Sequence, residues 1–287
     1  RVTKSQIIGA RYQLTQLLSN RGASSEVWLG HDLTTKADVA IKLAKPGKES
    51  QVKGEIDAWR SVVRLKHPHV VKFIDFGKSD NGRPYLVMEF ISGDAKLKQG
   101  KTLANWIQDR PNVDFGACCK LLAVVADALH HAHEQQVLHL DVKPDNILLN
   151  HLNQPFLSDF GLAQVMKNGE VRLKGFLGSP AYAAPEASLA SPMTVRSDVF
   201  SLVAVLYEAV TGLKAFEVES GFAGNRFDEL RRMIQSGQLR SIPSHIPDVI
   251  VKLIRRGLEV NPDRRFANAE ELAKELREAA EVYAIER

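Results

Sequence analysis

The strongest constraint in this sequence is a change of periodicity partway along the chain. Segments 12–18, 26–32, 38–43, 70–77 and 84–91 are rich in β-branched and aromatic residues and alternate apolar with polar, the period of half-buried strands. One helical stretch interrupts them: between 50 and 65, Val52, Ile56, Trp59, Val62 and Val63 recur at helix spacing, with charged residues on the other face. From Thr102 onward the pattern is helical. Segments 103–109, 115–135, 197–211, 227–236, 247–258 and 269–283 carry helix-period apolar residues, often behind a capping Thr, Asp, Ser or Asn. Short apolar runs at 137–140 and 147–149 read as small strands. The expectation is an α+β fold: a small antiparallel sheet with one helix, joined to a larger, mostly helical body. At 287 residues the chain is also as long as single cores become before they split, about 250–300 residues. Two lobes are expected, 1–91 and 92–287, with the boundary at 91–93 before a Lys-rich stretch, and no internal repeat.

Composition excludes several classes. Apolar residues at 44% and charged residues at 25% are ordinary for a soluble globular chain, which argues against disorder. The net charge of +4 is spread along the sequence rather than gathered with interleaved aromatics, so nucleic acid is not an expected partner. Cys118 and Cys119 are adjacent in a helical segment, a poor disulfide pair without metal-ligand spacing, which suits a reducing cytoplasm. The apolar run 199–210 is too short to cross a bilayer and contains Ser201 and Glu208, so it should be a core helix and no membrane segment is expected. No leader is visible before the first strand. A chain that starts at Arg1 rather than Met is expected to come from something longer.

Phosphoryl transfer needs charge stabilisation on the moving oxygens, metal ions bridging the phosphates, and a group that aligns the acceptor. The stretch 139–146 supplies Asp141 for an acceptor proton, Lys143 as a cation for a γ-phosphate, and Asn146 as an amide oxygen for Mg²⁺. After a short strand, Asp159-Phe160-Gly161 offers Asp159 as a second Mg²⁺ ligand. His139, between apolar neighbours, reads as a packed structural imidazole.

These two motifs, in this order, resemble the catalytic loop and DFG motif of eukaryotic-like (Hanks-type) serine/threonine protein kinase catalytic domains, with the compact texture of the bacterial ones. The resemblance implies the bilobal kinase fold and covers nearly the whole chain. Val39-Ala40-Ile41-Lys42 matches the strand whose lysine holds the α- and β-phosphates, with Glu55 as its ion-pair partner and Asp57 as the alternative. Glu55 is favoured because Trp59 then lies at i+4, although the interval to His67 is longer than the family usually shows. By the same resemblance, adenine lies between Val27, Ala40 and Leu148, and Met88 is the gatekeeper. Glu89 and Ile91 offer backbone groups, and Asp94 reaches the ribose. His139, Phe160, Trp59 and Phe73 should stack between the lobes. Gly178-Ser179-Pro180 with Ala184-Pro185-Glu186 closes the activation segment, Asp198 anchors the central helix, and Arg265 pairs with Glu186. Mg-ATP is the implied cofactor, with Mn²⁺ as the alternative ion, and a Ser/Thr-containing protein is the implied acceptor.

Two departures matter. The phosphate loop is glycine-poor: Asn20, Gly22 and Ser25 stand where the family has three glycines, and Ser19 competes with Asn20 for the first place. Glycines there let backbone amides approach phosphates, so a looser clamp is expected. The arginine that in many relatives precedes the catalytic Asp is here Leu140, and between Gly161 and Gly178 there is no Ser, Thr or Tyr. Activation without loop phosphorylation is therefore expected, with order supplied by packing, a regulatory partner or a flanking domain. A nucleotide-binding pseudokinase scaffold and a small-molecule kinase are the rival readings. Intact Lys42, Asp141, Asn146 and Asp159 weigh against the first, and the 178–186 segment against the second.

Overall fold

In the computed structural model the chain is described over residues 6–20, 24–93, 100–109, 112–188 and 191–285. The first part is a twisted antiparallel sheet of β1 (Ile7–Ile8), β2 (Tyr12–Ser19), β3 (Ser25–Asp32), β4 (Asp38–Ala44), β5 (Phe73–Lys78) and β6 (Pro84–Glu89), in the order β1-β2-β3-β4-β6-β5. Helix α1 (Glu49–Val62) crosses between β4 and β5. Alternation sorts the strands into two faces. Tyr12, Leu14, Trp28, Ile41, Leu43, Tyr85 and Val87 form a closed apolar cluster on one face. On the other, the register pairs Val27 with Lys42, Ala40 with Met88 and Lys42 with Leu86, so these side chains share the face toward α1 and the helical body.

The strand expected over 70–77 begins only at Phe73, because Val70 forms a parallel bridge to Leu157 and the Val71 N–H donates to the Leu157 carbonyl. That stretch ties the sheet to the second body instead of extending β5.

The helical part comprises β7 (Lys101–Thr102), α2 (Leu103–Gln108), α3 (Phe115–Glu134), β8 (Val137–Leu138), β9 (Ile147–Leu149), β10 (Pro155–Leu157), β11 (Gln164–Val165), α4 (Val195–Thr211), α5 (Arg226–Gln235), α6 (Asp248–Gly257) and α7 (Ala269–Ile285). The helices start where their caps stand. Asp114 accepts from the Ala117 N–H at 2.9 Å ahead of α3, and Thr194 and Ser197 form a capping box ahead of α4. Gly212, at φ 73°, ends α4 in the left-handed conformation that a residue with a side chain resists. Helix α4 is buried almost all round, the mark of a core helix. Helix α3 is long and apolar enough to cross a membrane by length and composition alone, but it packs against α4 and α7. Its two cysteines are buried, and burial pushes the Cys119 thiol up to about 12, leaving it unreactive.

A buried ion pair closes the helical body. Arg265 places Nη1 and Nη2 at 2.8 and 2.9 Å from the two Glu186 oxygens, and its remaining donors reach the carbonyls of Arg196, Glu259 and Val260. Ser197 Oγ donates to the same carboxylate at 2.7 Å. Because every donor is used, removing one partner strands the other in a dry interior. Arg265→Met and Glu186→Leu should each lower the unfolding free energy by about 3–5 kcal/mol, and the double variant should lose less than the sum. Urea denaturation of the three proteins reads this directly; additive losses would show that the pair does not act as a unit.

Candidate active site

The site forms where the inner face of the sheet meets the loops after β8 and β10. Asp198, at the start of α4, sets its floor. Buried to 1% exposure, its carboxylate accepts from the N–H groups of His139 and Leu140 at 2.8 and 2.9 Å and from His133 Nε2 at 2.9 Å. Burial alone would raise this carboxyl, but the His133 hydrogen bond, the nearby imidazoles and the His139 N–H together hold it below the usual carboxylate range. Gripping two successive amides fixes the backbone turn in which Leu140 stands at φ 64°.

That turn aims Asp141 into the cleft. Its Oδ2 lies 2.8 Å from Lys143 Nζ and accepts from Asn146 Nδ2 at 3.0 Å; its Oδ1 accepts from Ser179 Oγ at 2.7 Å. Lys143 Nζ also reaches Ser179 Oγ at 2.8 Å, so Asp141, Lys143 and Ser179 form a closed triangle. The Asn146 amide donates a second time, to the Asp141 carbonyl at 2.8 Å, which turns its oxygen away from Asp141. Gly178, at φ 95°, allows Ser179 this approach: a Cβ there would sit 2.5 Å from the Leu140 carbonyl oxygen. Behind the loop His139 is packed, as a structural reading of it requires. Its Nε2 reaches the Ser158 carbonyl at 2.9 Å and its Nδ1 accepts from the Asp141 N–H at 3.2 Å, a pattern that fixes the tautomer.

Across the cleft, Lys42 Nζ lies 2.6 Å from Glu55 Oε2 and 3.2 Å from Asp159 Oδ1. Asp57, the alternative partner, points to solvent and pairs with Arg60 at 3.3 Å. Desolvation works against the Lys42 charge, but Asp159 and Glu55 outweigh it and keep the ammonium above its ordinary range. Desolvation would likewise raise Asp159, and Lys42 holds it low. Gly161 lets the two bodies close: a Cβ there would come within 2.9 Å of Glu55 Cγ. A run of rings crosses the same boundary, with His139 to Phe160 at 4.6 Å between centroids, Phe160 to Trp59 at 5.5 Å and Trp59 to Phe73 at 5.8 Å.

Val27, Ala40, Met88 and Leu148 are all half-buried, which leaves an apolar slot open beside Lys42. The Glu89 N–H is taken by the Lys72 carbonyl at 2.8 Å, and the Ile91 carbonyl accepts from Gly100 N at 2.9 Å. Ser25 is buried at the start of β3, and the Asn20 carbonyl accepts from Lys45 Nζ at 2.9 Å. Gly22 and Asp94 lie outside the described residues. Two contacts had no signal in the sequence: Ser24 Oγ donates to Glu55 Oε1 at 3.3 Å, and His133 joins Asp198 across 65 positions. A separate cavity between the end of α1 and β5, lined by residues including Leu65, His67, Lys72 and Phe73, lies outside this cleft.

Leu140 itself is buried among Leu138, Met166, Val171, Ala183 and Met193, with Leu173, Phe176 and Leu177 packed around them. The Leu140 side chain thereby packs the segment after Gly161 against the turn that carries Asp141.

A two-lobed α+β fold with an ion-paired strand lysine, an acid–lysine–serine triangle and a DFG turn is that of a protein kinase. The protein kinase domain model matches residues 14–276, and the chain belongs to that family. It is 32% identical to the serine/threonine-protein kinase PkaA of Streptomyces coelicolor over 96% of its length, and 27% and 28% identical to PrkC of Bacillus subtilis and PknB of Mycolicibacterium smegmatis over 95% and 96%. The chain spans about half or less of these relatives, 51%, 41% and 44% of their lengths.

Acid should release the catalytic-loop anchor. A depressed folded-state pKa means that Asp198 adds stability above the unfolded carboxyl value of about 3.9 and loses it as pH falls toward the folded value. Asp198→Asn should therefore cost roughly 1–3 kcal/mol near neutrality, with the gap to wild type narrowing as pH falls below about 4. Urea melts at several pH values test this; a constant gap would remove Asp198 from the acid transition.

Proposed function

We propose that this chain is an active serine/threonine protein kinase that transfers the γ-phosphate of Mg-ATP to Ser or Thr hydroxyls of a protein. The observation that carries the reading is the triangle of Asp141, Lys143 and Ser179, with Asn146 steadying the acid. An acceptor hydroxyl entering at Asp141 donates its proton to that carboxylate and is thereby aimed along one line of approach. Lys143, already 2.8 Å from Asp141, stands where charge on the transferring oxygens would be met by an ammonium. On the nucleotide side, Lys42 is the cation for the α- and β-phosphates and Glu55 keeps it in place. The slot of Val27, Ala40, Met88 and Leu148 takes adenine, with the Glu89 carbonyl and the Ile91 N–H at its edge.

The donor chemistry fits Mg²⁺. No cluster of three or more His, Cys, Asp or Glu side chains able to hold a metal occurs among the described residues, and Mg²⁺ in phosphate enzymes commonly takes one or two protein oxygens and completes its shell with phosphates and water. Asp159 and the Asn146 amide oxygen are such a pair, and Mn²⁺ accepts the same ligands. The bound ion would neutralise phosphate charge. Cys118 and Cys119, buried side by side on one helix and so a poor disulfide pair, favour a cytoplasmic setting.

We further read the enzyme as independent of loop phosphorylation, because the buried Leu140 cluster does by packing what a phosphate–arginine pair would otherwise do. The scaffold reading rests on the glycine-poor loop alone. With labelled Mg-ATP and a generic protein acceptor, Asp141→Asn and Lys42→Met should each cut transfer by roughly 10²–10⁴-fold, Asp141→Asn while still binding nucleotide. Transfer surviving in both variants would overturn these roles, and nucleotide binding without any transfer by wild type would favour the scaffold. Phosphatase treatment should leave wild-type activity unchanged.

A further inference from the structure

Helix α5 carries two side chains, four positions apart, that hold the two ends of one segment. Phe227 meets Phe176 edge to face, with centroids 5.2 Å apart and planes at 86°. Arg231 donates from Nη2 to the Ser188 carbonyl at 3.1 Å and lies 5.8 Å from the Phe227 ring centroid. Between Phe176 and Ser188 lies Ser179, the hydroxyl shared by Asp141 and Lys143. Phe176 also packs on the Leu140 cluster, so it joins α5 to the catalytic loop.

Leu230, Met233 and Ile234 pack α5 on the core, but Phe227 takes no part in that contact and is 38% exposed. A large ring kept half in water on a polar helix, and matched to a second ring from the segment it faces, is explained by the contact itself.

We propose that Phe227 and Arg231 are positioning residues for the protein acceptor: they hold Phe176 and Ser188 so that Ser179 and the surrounding platform are in place before the acceptor arrives. The inference rests on the reading of the chain as a protein kinase and names what orders its acceptor side when no loop phosphate is available. If the platform is held in only a fraction of molecules, the apparent affinity for the acceptor falls by that fraction. The nucleotide side is untouched, because Lys42, Glu55 and Asp159 make no contact with α5 in the hydrogen bonds and ion pairs that hold them.

The test is steady-state kinetics of Phe227→Ala on the whole chain, with the protein acceptor and ATP varied separately. KM for the acceptor should rise by roughly three- to tenfold, the size of one lost edge-to-face contact, with KM for ATP unchanged. Phe227→Tyr, which keeps the ring and can turn its hydroxyl to water, should restore the wild-type value. Phe176→Ala combined with Phe227→Ala should be no worse than either alone. Amide hydrogen exchange over 173–178, measured without nucleotide or acceptor, should quicken in Phe227→Ala and return to normal in Phe227→Tyr. An unchanged acceptor KM, or an ATP KM that rises equally, overturns the proposal. If wild type transfers no phosphate, the kinase reading fails, and the exchange rates alone decide whether the α5 clamp exists.

Discussion

A carboxylate without water must find its donors inside the protein, and Asp198 finds two backbone amides and an imidazole. The rest of the site depends on this grip. Because the amides belong to consecutive residues, the carboxylate fixes a backbone conformation, including the left-handed Leu140, that leucine would not choose alone. From that turn Asp141 is carried to the cleft. The Leu140 carbonyl meets Gly178, and the Leu140 side chain enters the apolar cluster of the activation segment. One buried charge on the most enclosed helix thus orients a loop, an acid and a segment nearly forty positions downstream.

The second constraint is how the two bodies meet. Lys42 belongs to a strand of the sheet, Glu55 to α1, and Asp159 to the turn after β10, yet all three converge within salt-bridge distance. Opposed charges alone would not hold such a junction, since desolvation offsets much of their attraction. The rings of Phe73, Trp59, Phe160 and His139 supply apolar area along the same line, and Gly161 removes the one Cβ that would keep Glu55 away. Packing brings the bodies together, and the ion pairs specify the register at which they stop.

Departures from the family pattern make physical sense in this frame. Replacing an arginine by Leu140 would leave the activation segment without an electrostatic tether. The structure instead surrounds Leu140 with Leu138, Met166, Val171 and Met193 and bridges Val171 to Met193 through paired backbone bonds. In the phosphate loop, Ser24 reaches Glu55, so the hairpin is linked to the Lys42 pair by a side chain as well as by the strand.

Much of this was legible in the sequence, because periodicity and motif order are local. Alternation fixed β2, β3 and β4 to within a residue or two, since each strand has one face against a core, and a cap ahead of 115 marked where α3 begins, whereas α4 starts at Val195, two residues before the expected 197, because Thr194 caps it. The residues at 141, 143, 146 and 159 could be proposed from their chemistry, Lys42 only from the resemblance those motifs carry, and Glu55 could be preferred to Asp57 because Trp59 shares its face. Strand ends were less legible: Val70 looks like β5 but pairs with Leu157, a partner 87 positions away that local pattern cannot reveal. The short strands Gln164–Val165 and Pro155–Leu157 form because a neighbour offers its edge, and their own residues hardly demand it. The tertiary structure alone decided which long-range donors Asp198 would take, that Gly161 would lie against Glu55, and that Leu140 would be buried by the segment it helps to hold. Each depends on atoms distant in sequence meeting within a few ångströms, and only the packed chain sets that distance.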